Sequence, residues 1–198
     1  MVSDFLSSLL LVFKRFFLLI FTPYKTMRKI AMEKDYFQIF IIFGLVLIYF
    51  LGANLFRGFR YAPILMFSFF LLNFFITVLF FTFVSSFFVS ERPTRSLIFT
   101  LSYSLAPTLI WFISNSWFYY IIPPPRTISI PGMFFSIFFI AFSVSLLLWK
   151  IILFYLAIRF STKLHFFRIV YFLVLYMCFF IAYSVGLYYL RIFRIPFI

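Results

Sequence analysis

The stretch Arg60–Glu91, RYAPILMFSFFLLNFFITVLFFTFVSSFFVSE, holds thirty residues between its end charges without one Asp, Glu, Lys, Arg or His. A helix needs about 20 apolar residues, at about 1.5 Å each, to cross a hydrocarbon core of about 30 Å. Residues 61–90 are long enough, and the pattern recurs: charge-free runs also cover 36–56, 96–125, 127–149 and 169–190. The charges lie almost wholly between the runs. Lipid offers no hydrogen bonds to a backbone, so spanning segments are helices or closed barrels. Barrel strands are about 10 residues of alternating polarity; these runs are longer and do not alternate. The sequence therefore reads as all-α: a polytopic membrane protein whose five transmembrane helices form a bundle.

Composition agrees. The chain is 66% hydrophobic with mean hydropathy +1.18, against about 45–50% apolar residues in soluble domains. With 198 residues and five spans, it is a single domain overall. Residues 1–35 form an N-terminal interfacial helix and a basic segment, and residues 36–198 form the transmembrane domain. The spans are expected at 37–56, 63–89, 96–122, 132–158 and 167–190. The 38 Phe read as lipid-facing bulk. Lone Cys178 lies within a span, so no disulfide framework exists.

Residues 5–21 are apolar but interrupted by Lys14 and Arg15, each costly near the centre of a span. They also fail as a signal peptide, because the charges follow the apolar stretch. The expectation is an amphipathic helix in the membrane interface, with Lys14 and Arg15 reaching the headgroups and Thr22-Pro23 ending it. If 5–21 did span, only the side of the N-terminus would change. Beyond it lies a polar segment with Lys25, Arg28, Lys29 and Lys34 against Glu33 and Asp35, where Thr26 is placed to cap a short second helix.

The net charge of +13 sits where headgroups are, so it points to membrane lipids as partners and not to nucleic acid. Counting Lys and Arg beside the spans gives 11 on the N-terminal side of the membrane and 5 on the other. That bias predicts a cytoplasmic N-terminus and an outside C-terminus. Between Ile121 and Gly132, Pro123, Pro124 and Pro125 suggest a rigid extended turn or a partner-docking loop, and Pro131 marks the start of the fourth span.

Little in the chain resembles catalytic chemistry. One His and one Cys on different elements do not make a zinc site. The spans hold no carboxylate for an aspartyl protease or a proton pathway. No Gly-rich phosphate loop or Gly-flanked nucleophilic Ser is present. No cofactor and no catalytic residue is expected, and an enzyme acting on lipids is only a third choice. Lys150 is the one ionisable residue within a span, so it is the first candidate for function. It recurs at heptad spacing with Ser136 and Ser143. It is placed to snorkel, to pair inside the bundle or to touch lipid or substrate; a Ser-Lys dyad lacks a well-placed Ser. Asn54, Asn73 and Asn115 read as interhelical hydrogen bonds. Ala182 and Gly186, like Ala141 and Ser145, form small-xxx-small pairs that suit close helix packing, within the chain or with a partner. Pro107 is expected to kink the third span.

Three segments together resemble the Yip family (Ypt-interacting proteins and their bacterial and archaeal relatives). Thr22-Pro23-Tyr24-Lys25-Thr26-Met27-Arg28-Lys29-Ile30-Ala31 looks like the Pro-x-x-Thr-Phe-Arg-x-Ile-Ala segment of prokaryotic members, with Met27 for Phe. Leu101-Ser102-Tyr103-Ser104-Leu105-Ala106-Pro107 is similar to a Gly-Tyr-x-Leu-x-Pro motif in the third span, with Ser102 for Gly. Trp149 to Arg159 follows a Trp-x-x-x-Leu-x-x-x-Ala-x-Arg pattern. The residues that carry the resemblance are Pro23, Tyr103, Leu105, Pro107 and Trp149. It implies a five-helix domain with a cytoplasmic N-terminus. Eukaryotic relatives bind Rab-type GTPases, partly through long cytosolic N-terminal regions; with about 35 residues there, this chain is not expected to do so.

The expectation is a non-enzymatic, membrane-organising, scaffold or lipid/partner-binding subunit in a prokaryotic plasma membrane. Its partners would be lipids, other membrane proteins or further copies of itself. Lys14, Arg15, Lys25, Arg28, Lys29 and Lys150 are the candidate contacts. The alternative is a channel, or a membrane or accessory subunit of a transporter, with Asn73, Pro107, Asn115 and Lys150 lining a polar path.

Overall fold

A computed structural model describes residues 2–57, 62–88, 93–121 and 129–189, without the side chains of residues 2–4, 56 and 57. The loop prolines Pro123, Pro124 and Pro125, and Arg60, Glu91, Arg92, Arg126, Arg191 and Arg194, lie outside the described residues. The described chain forms eight helices: α1 (Val2–Phe21), α2 (Pro23–Ala31), α3 (Phe37–Arg57), α4 (Pro63–Ser86), α5 (Thr94–Tyr103), α6 (Ala106–Ile121), α7 (Ile130–Thr162) and α8 (Phe166–Tyr189). Five segments are long and apolar enough to cross a membrane: α3, α4, the α5–α6 pair, α7 and α8. The chain is a multi-pass, all-α membrane protein.

The helix boundaries follow from local chemistry. Pro63 and Pro131 sit in the first turns of α4 and α7, where a missing N–H costs nothing. The Ser129 hydroxyl caps α7 by accepting from the Gly132 amide at 3.2 Å. Pro23 opens α2 in the same way, so that helix begins three residues before Thr26. Thr26 is not its cap. It is buried with Met27 and Ile30, and its hydroxyl lies 3.3 Å from that of Thr22. Lys25, Arg28 and Lys29 occupy the exposed face.

The third span breaks, as Pro107 predicts. Helix α5 ends at Tyr103 and α6 begins at Ala106, with the amide of Leu105 bonded to Ser102 O at 3.2 Å in a tightened turn. This broken span is also the centre of the bundle. Of its most apolar stretch 72% is buried, against 6% for α7 and 17% for α8. Helices α3, α4 and α7 all pack against it. Phe81, Phe99, Leu101 and Tyr103 are among the fully enclosed side chains, whereas Phe134 and Phe167 point outward. Phe therefore fills both core and lipid-facing positions.

Helix α8 leans on its neighbours over part of its length only. Its ties to α4 are polar and aromatic: Thr77 Oγ1 lies 3.0 Å from Tyr176 OH, and Tyr183 OH donates to Asn73 Oδ1 at 2.6 Å. Tyr176 also lies 4.9 Å from the Phe81 ring. The small-residue pairs do not serve packing within the chain. Ala182, Gly186, Ala141 and Ser145 are all exposed, and a Cβ built on Gly186 would meet nothing within 4 Å. The reason is geometric: at these positions α7 and α8 have no facing helix close enough to need a small residue.

In a double-mutant cycle, Thr77→Val and Tyr176→Phe should show a coupling of about 0.6 kcal/mol, the usual size for a hydrogen bond between membrane helices. Unfolding of the purified protein in mixed micelles measures it, and strictly additive effects would deny the bond any energetic role.

Candidate functional site

Two features gather polar side chains inside this apolar protein. The first is a latch between the N-terminal segment and the third span. Helix α1 turns Ser8, Val12, Arg15 and Leu19 inward at helical spacing, while Leu6, Leu10, Phe13 and Phe17 face outward. The Arg15 guanidinium forms an ion pair with Glu33 and donates from Nη1 to Gln38 Oε1 at 2.6 Å. Its carbon lies 5.8 Å from the centre of the Tyr103 ring. Tyr103 OH donates to the same Gln38 Oε1 at 2.6 Å. Gln38 Nε2 donates to Asp35 Oδ2 at 3.1 Å, and that oxygen accepts from Ser8 Oγ at 2.5 Å. Gln38 is fully buried, yet its amide is satisfied on both sides.

Arg15 therefore does not reach the headgroups as expected. The acids and the amide of residues 33–38 meet it inside the protein, and a guanidinium with several fixed acceptors is better served there than at a fluid interface. Lys14, its neighbour on the helix, is exposed. A second set of bonds closes the same end of the bundle. Arg95 Nη2 donates to Glu33 O at 2.9 Å, and Ser96 Oγ donates to Ala31 O at 3.0 Å. The Ser161 hydroxyl of α7 lies 3.0 Å from Thr100 Oγ1 and 3.1 Å from Ser96 Oγ. Helix α2 packs against both α5 and α7, and α5 against α7. Helix α2, the start of α5 and the end of α7 thus meet at one end of the molecule, called the basic end below.

The second feature is a cleft of about 900 Å³ between α4, α7 and α8, floored by Leu101 and Leu105. Its walls are mostly aliphatic and aromatic. Among them are Asn73 and Thr77 of α4, Tyr176, Cys178 and Ser184 of α8, and Lys150 of α7. Lys150 is half-buried, with its ammonium 5.9 Å from the centre of the Phe154 ring. Twelve residues separate it from the end of α7, about 18 Å of helix, so it lies deeper than the sequence boundaries imply. Asn73 and Lys150 share this cleft, whereas Pro107 and Asn115 do not line it. Ser143, on the same face of α7 as Lys150, accepts instead from Trp111 Nε1 at 3.1 Å. Trp149 is half-buried against the core; Tyr103, Leu105 and Pro107 are enclosed at the break.

Sequence reasoning missed Gln38 and the inward role of Glu33 and Asp35. The signal was present: two of the chain's 4 acids sit together just before a span that begins with a lone Gln. Comparison of the chain with known protein families, with curated proteins and with solved structures finds no match.

Burial raises the pKa of Glu33, but the Lys34 amide, the bond and charge of Arg15 and the Asp35 amide outweigh it and hold the carboxyl below its usual 4.5. A depressed carboxylate contributes stability that is present above the unfolded pKa and lost as pH falls through the folded one. Residues 32–38 should therefore gain amide exchange below about pH 4. Arg15→Met should raise exchange in this segment at neutral pH and flatten that acid dependence; an unchanged acid profile in the variant would remove the ion pair from the explanation.

Proposed function

We propose that this chain is a non-enzymatic, Yip-like membrane protein that organises the bilayer around it by holding lipid in the cleft between α4, α7 and α8. The observation that carries the reading is the cleft itself: about 900 Å³ of mostly apolar wall, set among segments long and apolar enough to span a membrane. A void there is filled by what surrounds it, and an acyl chain matches its lining. Helices α7 and α8 keep their most apolar stretches largely uncovered, 6% and 17% buried, so lipid has free entry from the side. The Yip-like reading rests on the three motifs, above all Ser102-Tyr103-Ser104-Leu105-Ala106-Pro107 at the break. The orientation proposed with it puts the basic end in the cytoplasm, since 11 of 17 Lys and Arg flank that side. A prokaryotic plasma membrane is the proposed location.

Purified in mild detergent, the protein should retain at least one phospholipid in native mass spectrometry. Leu147→Trp or Ile181→Trp, which place an indole in the cleft, should reduce that retention several-fold while leaving the fold intact. A wild-type protein that carries no lipid would remove the reading.

A transport reading has one observation in its favour: Asn73 and Lys150 face the same cleft. Ion flux in liposomes that is abolished by Lys150→Met would establish it, and liposomes that stay tight with the wild-type protein would end it.

A further inference from the structure

At the basic end, α7 turns into α8 through only Lys163, Leu164 and His165. This turn forms a second pocket of about 510 Å³, lined by Tyr155, Arg159, Lys163, His165 and Phe166 among others, with no acidic side chain in its wall. Arg159 is held in place there. Its Nη1 donates to Tyr155 OH at 3.1 Å, and its guanidinium carbon lies 5.8 Å from the Tyr24 ring of α2 and 6.0 Å from the Tyr155 ring. Helix α2, which carries the exposed Lys25, Arg28 and Lys29, packs on this part of α7.

Lys163 carries a further sign. It closes α7 in the left-handed region, at φ 57, the single described non-glycine residue with positive φ. Glycine is the residue that adopts this position at a helix end without cost. A lysine kept there puts a cation at the pocket at the expense of backbone ease.

The pocket and the cleft adjoin. On α7, Tyr155 of the pocket lies one turn from Ile151 of the cleft; on α8, Phe166 of the pocket lies one turn from Val170 of the cleft. Residues four apart on a helix are neighbours on its surface. From Arg159 to Ile151 is about 12 Å along the axis, close to half the thickness of a hydrocarbon core. A cationic pocket therefore stands at the mouth of an apolar cleft, in the arrangement of a phospholipid's headgroup above its chains.

We propose that one acidic glycerophospholipid occupies both spaces, its phosphate group held by Arg159, Lys163 and His165 and an acyl chain laid in the cleft between α7 and α8. Arg159 supplies the planar fork that suits a phosphate, Lys163 a point charge and His165 a ring N–H donor. The inference rests on the lipid-binding reading above and adds the headgroup class and the residues that select it.

The test uses the full-length protein in detergent, reloaded with phosphatidylglycerol or phosphatidylcholine and followed by native mass spectrometry and thermal melting. Phosphatidylglycerol should be retained about tenfold better: both lipids carry the phosphate, but the fixed positive charge of choline is repelled by Arg159 and Lys163. R159Q combined with K163Q should abolish that preference, with phosphatidylglycerol losing more retention than phosphatidylcholine. Because Arg159 also touches Tyr24, K163G provides an independent check. It relieves the left-handed backbone, so the lipid-free protein should melt higher, while phosphatidylglycerol binds more weakly; a purely structural lysine would not separate the two readouts. Inorganic phosphate should leave the melting temperature unchanged. A rise with phosphate equal to that with phosphatidylglycerol would make this a phosphate-ion site and overturn the proposal. Equal retention of both lipids, unaffected by the variants, would overturn it while leaving the cleft reading standing; retention of neither lipid would remove both.

Discussion

Hydrocarbon gives a backbone amide nothing to bond with, so a helix that breaks inside a membrane has to break inside protein. The third span is such a helix. Pro107 has no N–H, which leaves the Tyr103 carbonyl without its usual donor four residues on. The chain turns tightly at Ser104 and Leu105 before it resumes as α6. Every residue from Leu101 to Leu109 is buried. The interruption therefore dictates which span stands at the centre and which stand around it. With α5 and α6 in the middle, the most apolar stretches of α7 and α8 are left largely uncovered, and the cleft lies between these helices and α4.

The polar latch answers a second requirement of the same kind. Gln38, Tyr103 and Arg15 bring polar atoms into an apolar bundle, and each must be satisfied there or destabilise it. They satisfy one another. Two donors, Arg15 and Tyr103, converge on one amide oxygen, and the amide's nitrogen is taken by Asp35. The latch joins three parts of the sequence that would otherwise be held together by apolar contact alone. It also leaves the opposite side of α1 free to touch lipid, so this helix is amphipathic with its polar face toward the protein.

Much of the fold was readable from residue order, and for definite reasons. Charge-free runs longer than a bilayer is thick have few alternatives, which is why 61–90 and its counterparts landed on helices. Pro63, Pro107 and Pro131 each left a mark at their own positions. The contents of the helices were harder. Phe81 and Phe167 are the same residue type, one at 0% exposure and one at 83%, and in lipid both are comfortable. Small residues such as Gly186 suggest close packing, but whether a partner helix is near depends on how α8 diverges, which no local pattern encodes. Arg15 was misplaced because a cation in an interfacial helix has two good destinations, headgroup phosphates or protein carboxylates. Choosing between them requires knowing that residues 33–38 fold back over α1. The clefts were not legible at all, since each is a property of the spaces between helices.

The ring of Tyr103 beneath Arg15 sets an order of events during synthesis. Helix α1 is made before its partners, and Glu33, Asp35 and Gln38 follow soon after. Its last partner, Tyr103, belongs to the third span and is 88 positions from Arg15 in the sequence. Until that span has been inserted and has broken at Ser104, the binding surface for α1 is incomplete. In the interval the helix has α2, α3, Glu33 and Gln38 to pack against, while its outward apolar residues face the membrane. The Arg15–Tyr103 contact thus closes only when the central span has arrived, and a helix made early completes its seating late.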